Sequence, residues 1–174
     1  MIYTFRFISN EEESFVLDIN INHDQTFEDL HLAIQNTLNY DPSQMASFFT
    51  SNNDWEKLEE IAGMDMGLDI PVKSMSNTKI ENCFNEKNQR ILYIFDFLSE
   101  RLFFGSVTRL IDADPPIKLP SVSRLEGKIP NQISMSDEFS NNDLLGIINS
   151  ADSNDIDEET DYLEDIDSFD DTDY

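Results

Sequence analysis

Five side chains in this chain of 174 residues carry groups of the kinds used in catalysis or metal binding. They are His23, His31, the single cysteine Cys83, and the pair Asp96 and Arg101. A metal site needs several such ligands brought together by folding, and a nucleophile needs a base beside it. None of these residues lies in a recognisable motif, and the chain has no glycine-rich phosphate loop and no Gly-x-Ser-x-Gly.

His31 follows Phe27 by about one turn of a predicted helix, on the border of its apolar face. A histidine at such a position is expected to be packed or hydrogen-bonded as part of the structure. A ligand or catalytic role would require partners, and His23 with nearby carboxylates could supply them only if folding brings them together.

Asp96 alternates with Leu92 and Ile94 in a predicted strand, so the three side chains share one face. A carboxylate beside two aliphatic side chains must be paired or lie at the rim of a sheet. Arg101, across a predicted turn, is the natural partner, which predicts an ion pair or a turn cap. The alternative is an enzyme or metal-dependent protein with a pocket around His31 and Asp96, in which Asp96 acts as a general acid.

The N-terminal half has the clearest structural signals. Aromatic and aliphatic residues alternate with polar ones in residues 3–7 and 15–21, which predicts a β-hairpin closed by a loop at 10–14. A Thr-x-x-Asp capping pattern begins a helix at Thr26. Residues 45–50 read as a strand, and 55–61 are either a strand or a short helix.

The second half predicts a buried hairpin and then a departure from the sheet. Thr78 with Glu81 could cap one or two helical turns. Residues 90–97 and 102–111 are dense in aliphatic and aromatic residues, which predicts two antiparallel strands. Four prolines between residues 115 and 130 then predict an extended, loop-like stretch outside the sheet.

Charge divides the chain into a body and a tail. Residues 1–72 hold 2 basic and 14 acidic residues, 73–128 hold 9 and 7, and 129–174 hold none and 15. We expect a folded domain at 1–133 and a largely disordered acidic tail at 134–174, with a short helix at 137–149. The acidity argues against nucleic-acid binding, and the tail lacks the glycine and glutamate of a calcium loop.

Cysteine use and hydropathy indicate the compartment. A lone cysteine cannot form an internal disulfide, the start of the sequence lacks an export signal, and no apolar run approaches the roughly 20 residues that cross a bilayer. We therefore expect a cytoplasmic protein that does not bind a membrane. We also expect no cofactor and no metal, and the acidic surface predicts a basic protein partner.

Several segments together resemble the plasmid pRiA4b ORF-3-like family over roughly residues 1–130. They are Phe27-Glu-Asp-Leu-His31, Ala33-Ile34-Gln35, Tyr40 with Phe48, and Tyr93-Ile-Phe-Asp-Phe97. The family tends to continue the last segment with Gly-Asp and then Trp, whereas this chain has Leu98, Ser99, Glu100 and Leu102.

The resemblance implies an α+β domain with a β-β-α-β start and a mostly antiparallel sheet. It also implies proteins encoded in bacterial and archaeal chromosomes and near mobile elements, with no established reaction. A site built on the family's Gly-Asp-x-Trp loop would be absent here. The sequence thus predicts a non-enzymatic protein-interaction domain with an acidic tail.

Overall fold

A computed structural model describes residues 1–63, 72–113 and 117–133 of the chain. They form a sheet of eight strands and one α-helix: β1 (Ile2–Ser9), β2 (Val16–Asn22), α1 (Phe27–Leu38), β3 (Ser47–Ser51), β4 (Lys57–Ala62), β5 (Lys73–Ser74), β6 (Arg90–Asp96), β7 (Arg101–Ile111) and β8 (Ser121–Glu126). The strand order is β5-β4-β3-β6-β7-β1-β2-β8. Only β4 and β5 pair in parallel. The predicted α+β class and the β-β-α-β start are confirmed.

The N-terminal hairpin forms because its apolar residues recur at every second position. Tyr3, Phe5 and Phe7 of β1 lie opposite Ile21, Ile19 and Leu17 of β2. All six are buried in one core on a single face of the sheet. The period of two thus fixes both the strand pairing and the face that is buried.

Helix α1 covers that core face and begins at the predicted cap. The backbone amide of Asp29 donates to Thr26 Oγ1 at 3.2 Å, and the Thr26 amide donates to Asp29 Oδ2 at 2.9 Å. The helix ends at Asn39, whose φ of 55° lies in the left-handed region. Leu30 and Ile34 point into the core, as the helical period requires.

The centre of the sheet is the predicted hairpin of β6 and β7, with β3 on the other side of β6. Phe48, Tyr93 and Phe103 lie side by side across these three strands and are fully buried. The open choice for residues 55–61 is decided in favour of strand β4, which pairs with β3.

Two local predictions are wrong. The stretch after Pro120 does not leave the sheet, because β8 pairs antiparallel with β2 and places Leu125 opposite Leu17. Pro120 lies just before β8 and Gly127 just after it, so neither residue interrupts the strand. The turn after Thr78 is a short 3₁₀ helix, Ile80–Asn82, and its cap is the Lys79 amide bonded to Asn82 Oδ1 rather than Thr78.

In the part of the chain that the structure describes, no helix is long and apolar enough to span a bilayer. The predicted tail at 134–174, with its helix at 137–149, lies outside the described residues.

Candidate functional site

A largely apolar groove lies between α1 and the β4 side of the sheet. Its volume is about 430 Å³, which is within the usual range for ligand sites. Apolar side chains supply most of its walls: Leu32, Pro42, Met45, Ala46, Ala62, Met75 and Phe97. The polar lining consists of Glu28, His31, Gln44, Ser47 and Glu60.

Backbone hydrogen bonds hold the walls of this groove together. The amides of Phe27 and Glu28, in the first turn of α1, donate to Thr78 O at 3.0 Å and Met75 O at 3.2 Å. The Met75 amide in turn donates to Ala62 O of β4 at 2.8 Å. Met75 therefore bridges the helix and the sheet, which makes the groove a fixed feature of the fold.

The outer parts of the groove are open to solvent. Leu32, Met45 and Phe97 are 46%, 50% and 39% exposed, respectively. Two carboxylates, Glu28 and Glu60, lie among these apolar groups, and none of the described lining residues is a lysine or arginine. The groove thus combines accessible apolar surface with negative charge.

His31 lines the groove and is held by a buried chain of hydrogen bonds. Gln35 Nε2 donates to the Tyr93 hydroxyl at 2.8 Å, and the same hydroxyl lies 2.9 Å from His31 Nδ1. Because Gln35 donates to the Tyr93 hydroxyl, the acceptor available for the hydroxyl proton in this chain of bonds is His31 Nδ1. In that arrangement the proton of the neutral imidazole lies on Nε2. Burial lowers the pKa of His31, so the neutral ring is favoured.

Tyr93 and Gln35 together fix the position of the His31 ring. Its Nδ1 is occupied by Tyr93, and the tyrosine and glutamine come from the sheet and from the next turn of the helix. The pKa of Tyr93 is raised strongly by burial, so its hydroxyl stays protonated and can keep donating.

Asp96 has a different environment, at the turn between β6 and β7. Its Oδ1 accepts from the amides of Leu98 at 3.0 Å and Ser99 at 3.2 Å. Arg101 lies 4.0 Å from its carboxylate, as the sequence suggested. The closer partner of Arg101 is Glu11, with two bonds of 2.7 and 2.6 Å, and this hydrogen bonding raises the pKa of Arg101.

His31 and Asp96 are therefore not brought into one site. Asp96 caps a turn, and it is not among the residues that line the groove with His31. His23 is also separate, since its Nδ1 contacts Glu81 at 2.6 Å on the surface.

Cys83 is a free thiol whose pKa is raised by burial. Within residues 1–63, 72–113 and 117–133, no three His, Cys, Asp or Glu side chains cluster as metal ligands.

A sequence profile described as plasmid pRiA4b ORF-3-like protein matches residues 8–173. The chain belongs to the pRiA4b ORF-3-like family. The match extends beyond the residues on which the sequence resemblance rests. No curated protein matches the chain significantly.

The same fold occurs in a solved structure of unknown function. The crystal structure of a protein from Methanosarcina mazei Go1 matches with a TM-score of 0.55 and 19% identity, over 71% of this chain and 68% of that one. At this identity the likeness concerns the fold alone. Neither the family nor this structure supplies a reaction, so the side chains of the chain itself must indicate function.

Sequence reasoning found His31 but missed the groove around it. Met45, Met75 and Phe97 come from three separate segments, and nothing in their spacing shows that they meet. One signal was available: Leu32 and Met45 are large apolar residues that fall outside the apolar period of their segments.

Proposed function

We propose that this chain is a protein-interaction domain whose groove beside α1 binds a partner segment with apolar and basic side chains. The observation that carries this proposal is the lining of the groove, which places Glu28 and Glu60 around exposed Leu32, Met45 and Phe97. Binding would remove this apolar surface from water, at roughly 25 cal/mol per Å².

The negative charge of the groove determines which charge a bound segment should carry. The two carboxylates of the groove have no cation beside them among the described lining residues. Residues 1–72, which supply most of the lining, hold 14 acidic and 2 basic residues. A lysine or arginine next to an apolar anchor would complement this surface and raise the association rate, whereas an acidic segment would be repelled.

The side chains also favour a flexible peptide over a single rigid ligand. Met45 and Met75 are unbranched thioethers that can repack around different apolar groups. An interaction of this kind needs no proton transfer, which agrees with a neutral His31 whose Nδ1 is already bonded to Tyr93. His31 Nε2 would serve as a hydrogen-bond donor to the partner.

The chain's organisation and location complete this proposal. We propose residues 1–133 as the binding domain and the acidic segment 134–174 as a separate appendage that keeps the protein soluble through its charge. The cytoplasm is the proposed location, because a free Cys83 is compatible with a reducing compartment.

A peptide-display selection on the full-length chain tests the groove. We expect enriched sequences to contain two or more large apolar residues and at least one lysine or arginine. Their binding should be lost in the variant L32S/M45S, which removes exposed apolar area from the groove. It should persist in L58S/I117S, where the residues are 62% and 58% exposed elsewhere on the surface.

Two results would refute the proposal. One is enrichment of acidic sequences, and the other is equal binding by wild type and L32S/M45S. Circular dichroism of both variants checks that they are folded.

A further inference from the structure

The floor of the groove beside α1 is built from two small residues that strand pairing places side by side. Phe48 of β3 lies opposite Ile61 of β4, and both are fully buried. Two positions further along the same register, Ala46 and Gly63 come next on the same face of the sheet, and both line the groove. A methyl group and a hydrogen atom therefore stand where the preceding pair has two large side chains, which leaves the space of the groove open.

The position of Gly63 shows where this space lies. A β-carbon at Gly63 would lie 3.6 Å from Ala46 O and 3.7 Å from Met75 Sδ, its nearest atoms among the described residues. These are ordinary contact distances, so the described neighbours would tolerate a methyl group here. The absent side chain of Gly63 thus leaves a gap between the Ala46 backbone and the Met75 sulfur.

The walls of the gap carry groups that suit an aromatic ring. Met75 is held by backbone hydrogen bonds to Ala62 and Glu28, and Met45 lies at the open rim of the groove. A thioether sulfur makes favourable contacts with aromatic rings, at about 5 Å from the ring. Phe97, also in the lining, adds a ring of its own, and aromatic pairs contribute beyond the area that they bury. The walls therefore favour an aromatic side chain over an aliphatic one.

We propose that the segment bound in the groove carries an aromatic anchor, which is seated over Gly63 between Met45 and Met75. This inference rests on the proposed function and adds to it the class of the anchor residue. Glu28 and Leu32 are one helical turn apart on α1, so a carboxylate lies beside the apolar wall. A lysine or arginine next to the anchor would face this carboxylate. Gly63 is then the residue that sets the size of the side chain that the groove admits.

An aliphatic anchor would fill the same space with a smaller gain in affinity. Leucine removes apolar area from water, as an aromatic residue does, but it offers no ring to the sulfur atoms of Met45 and Met75 or to Phe97. Alanine would leave the gap over Gly63 unfilled. The lining of the groove therefore ranks the possible anchors as aromatic first, leucine second and alanine last.

Chemical-shift titration of the isotope-labelled full-length chain with three tripeptide amides tests the anchor. The probes are Lys-Trp-Lys, Lys-Leu-Lys and Lys-Ala-Lys, which carry equal charge and differ only at the central residue. We expect Lys-Trp-Lys to bind roughly 2- to 10-fold more tightly than Lys-Leu-Lys, and Lys-Ala-Lys to bind more weakly still. The methyl groups of Met45 and Met75 should show ring-current shifts with Lys-Trp-Lys alone, whereas that of Met1, which is outside the groove lining, should not.

The variant G63V tests the seat itself. Its added side chain occupies the gap, so we expect it to weaken Lys-Trp-Lys binding by at least about fivefold, while the affinity for Lys-Ala-Lys changes by less than about twofold. The control S106V introduces valine on β7, outside the groove lining, and should leave all three affinities within about twofold. Circular dichroism checks the folding of both variants. If G63V does not fold, G63A gives the same comparison with a smaller loss.

The outcomes separate the anchor from the proposed function. Equal affinity of the three peptides, or tighter binding of Lys-Leu-Lys than of Lys-Trp-Lys, would overturn the aromatic anchor. So would a substitution at Gly63 that changes the binding of Lys-Trp-Lys and Lys-Ala-Lys by the same factor. In each of these cases the groove would still be a binding site for basic segments. If no peptide shifts the signals of Leu32, Met45 or Met75, both the anchor and the proposed function are refuted.

Discussion

At the scale of single residues, the chain Gln35–Tyr93–His31 explains how a polar group is kept in a largely aromatic interior. Tyr93 is fully buried, yet its hydroxyl accepts from Gln35 Nε2 and lies 2.9 Å from His31 Nδ1. The network joins the helix that lines the groove to the central strand of the sheet. It therefore fixes the orientation of His31, the only histidine in the groove.

Replacing Tyr93 by phenylalanine should destabilise the protein by about 1–3 kcal/mol, because the buried Gln35 amide loses its acceptor. Urea denaturation measures this cost. In the double variant Q35L/Y93F both polar groups are removed, so we expect a smaller loss than the sum of the two single changes. An additive result would show that the two side chains do not interact.

The lowered pKa of His31 predicts a pH dependence of stability. Above the unfolded-state pKa near 6.5 the ring is neutral in both states and its contribution is complete. As the pH falls below that value, the unfolded chain binds a proton that the folded chain resists, so stability is lost. Wild type should lose more unfolding free energy than H31Q between pH 8 and pH 5. Equal losses in wild type and H31Q would contradict this origin.

At the scale of elements, close packing depends on Gly105 in β7. A β-carbon at this position would lie 2.6 Å from Ile91 Cγ2 and 2.7 Å from the Phe7 ring. Gly63, at the end of β4, has room, since the nearest atoms would be 3.6 and 3.7 Å away. A methyl group would therefore clash with its neighbours at Gly105 but not at Gly63.

The variant G105A should therefore lose about 1–3 kcal/mol of stability, because the added methyl group forces Ile91 or Phe7 to move. G63A is the matched control and should change stability by less than about 0.5 kcal/mol. Thermal and urea unfolding of both variants provide the comparison. A neutral G105A would show that the neighbouring side chains relax without cost.

The elements that sequence analysis identified are those with strong local signals. The hairpin of β1 and β2 has a clear period of two, and the Thr26–Asp29 pattern marks the start of α1. Strand β8 was missed because its two apolar residues, Val122 and Leu125, are three positions apart among polar residues, so the segment between Pro120 and Gly127 shows no period of two. Its place in the sheet comes from pairing with β2, which is a long-range contact that local patterns do not encode.

At the scale of the whole molecule, strand pairing gathers charges that are far apart in the sequence. Arg90, Arg6 and Arg124 lie in one row across the sheet, where Arg6 is bonded to Asp18 and Arg124 to Glu126, while Glu28 and Glu60 line the groove. Composition alone indicated an acidic protein with a basic partner, in which only residues 73–128 have a small excess of basic over acidic residues. The pairings of the strands show where the cations collect, and this could not be predicted from net charge.

The central claim is that the acidic, apolar groove binds basic, apolar segments, and one binding measurement tests it most directly. A selected basic peptide is titrated by calorimetry into full-length wild type, E28Q/E60Q and the control E13Q/E86Q, which loses two carboxylates outside the groove lining. We expect E28Q/E60Q to bind roughly 3- to 10-fold more weakly than wild type, with the control within twofold. Equal affinity for wild type and E28Q/E60Q, or an equal loss in the control, would contradict the assignment of the groove as the binding site.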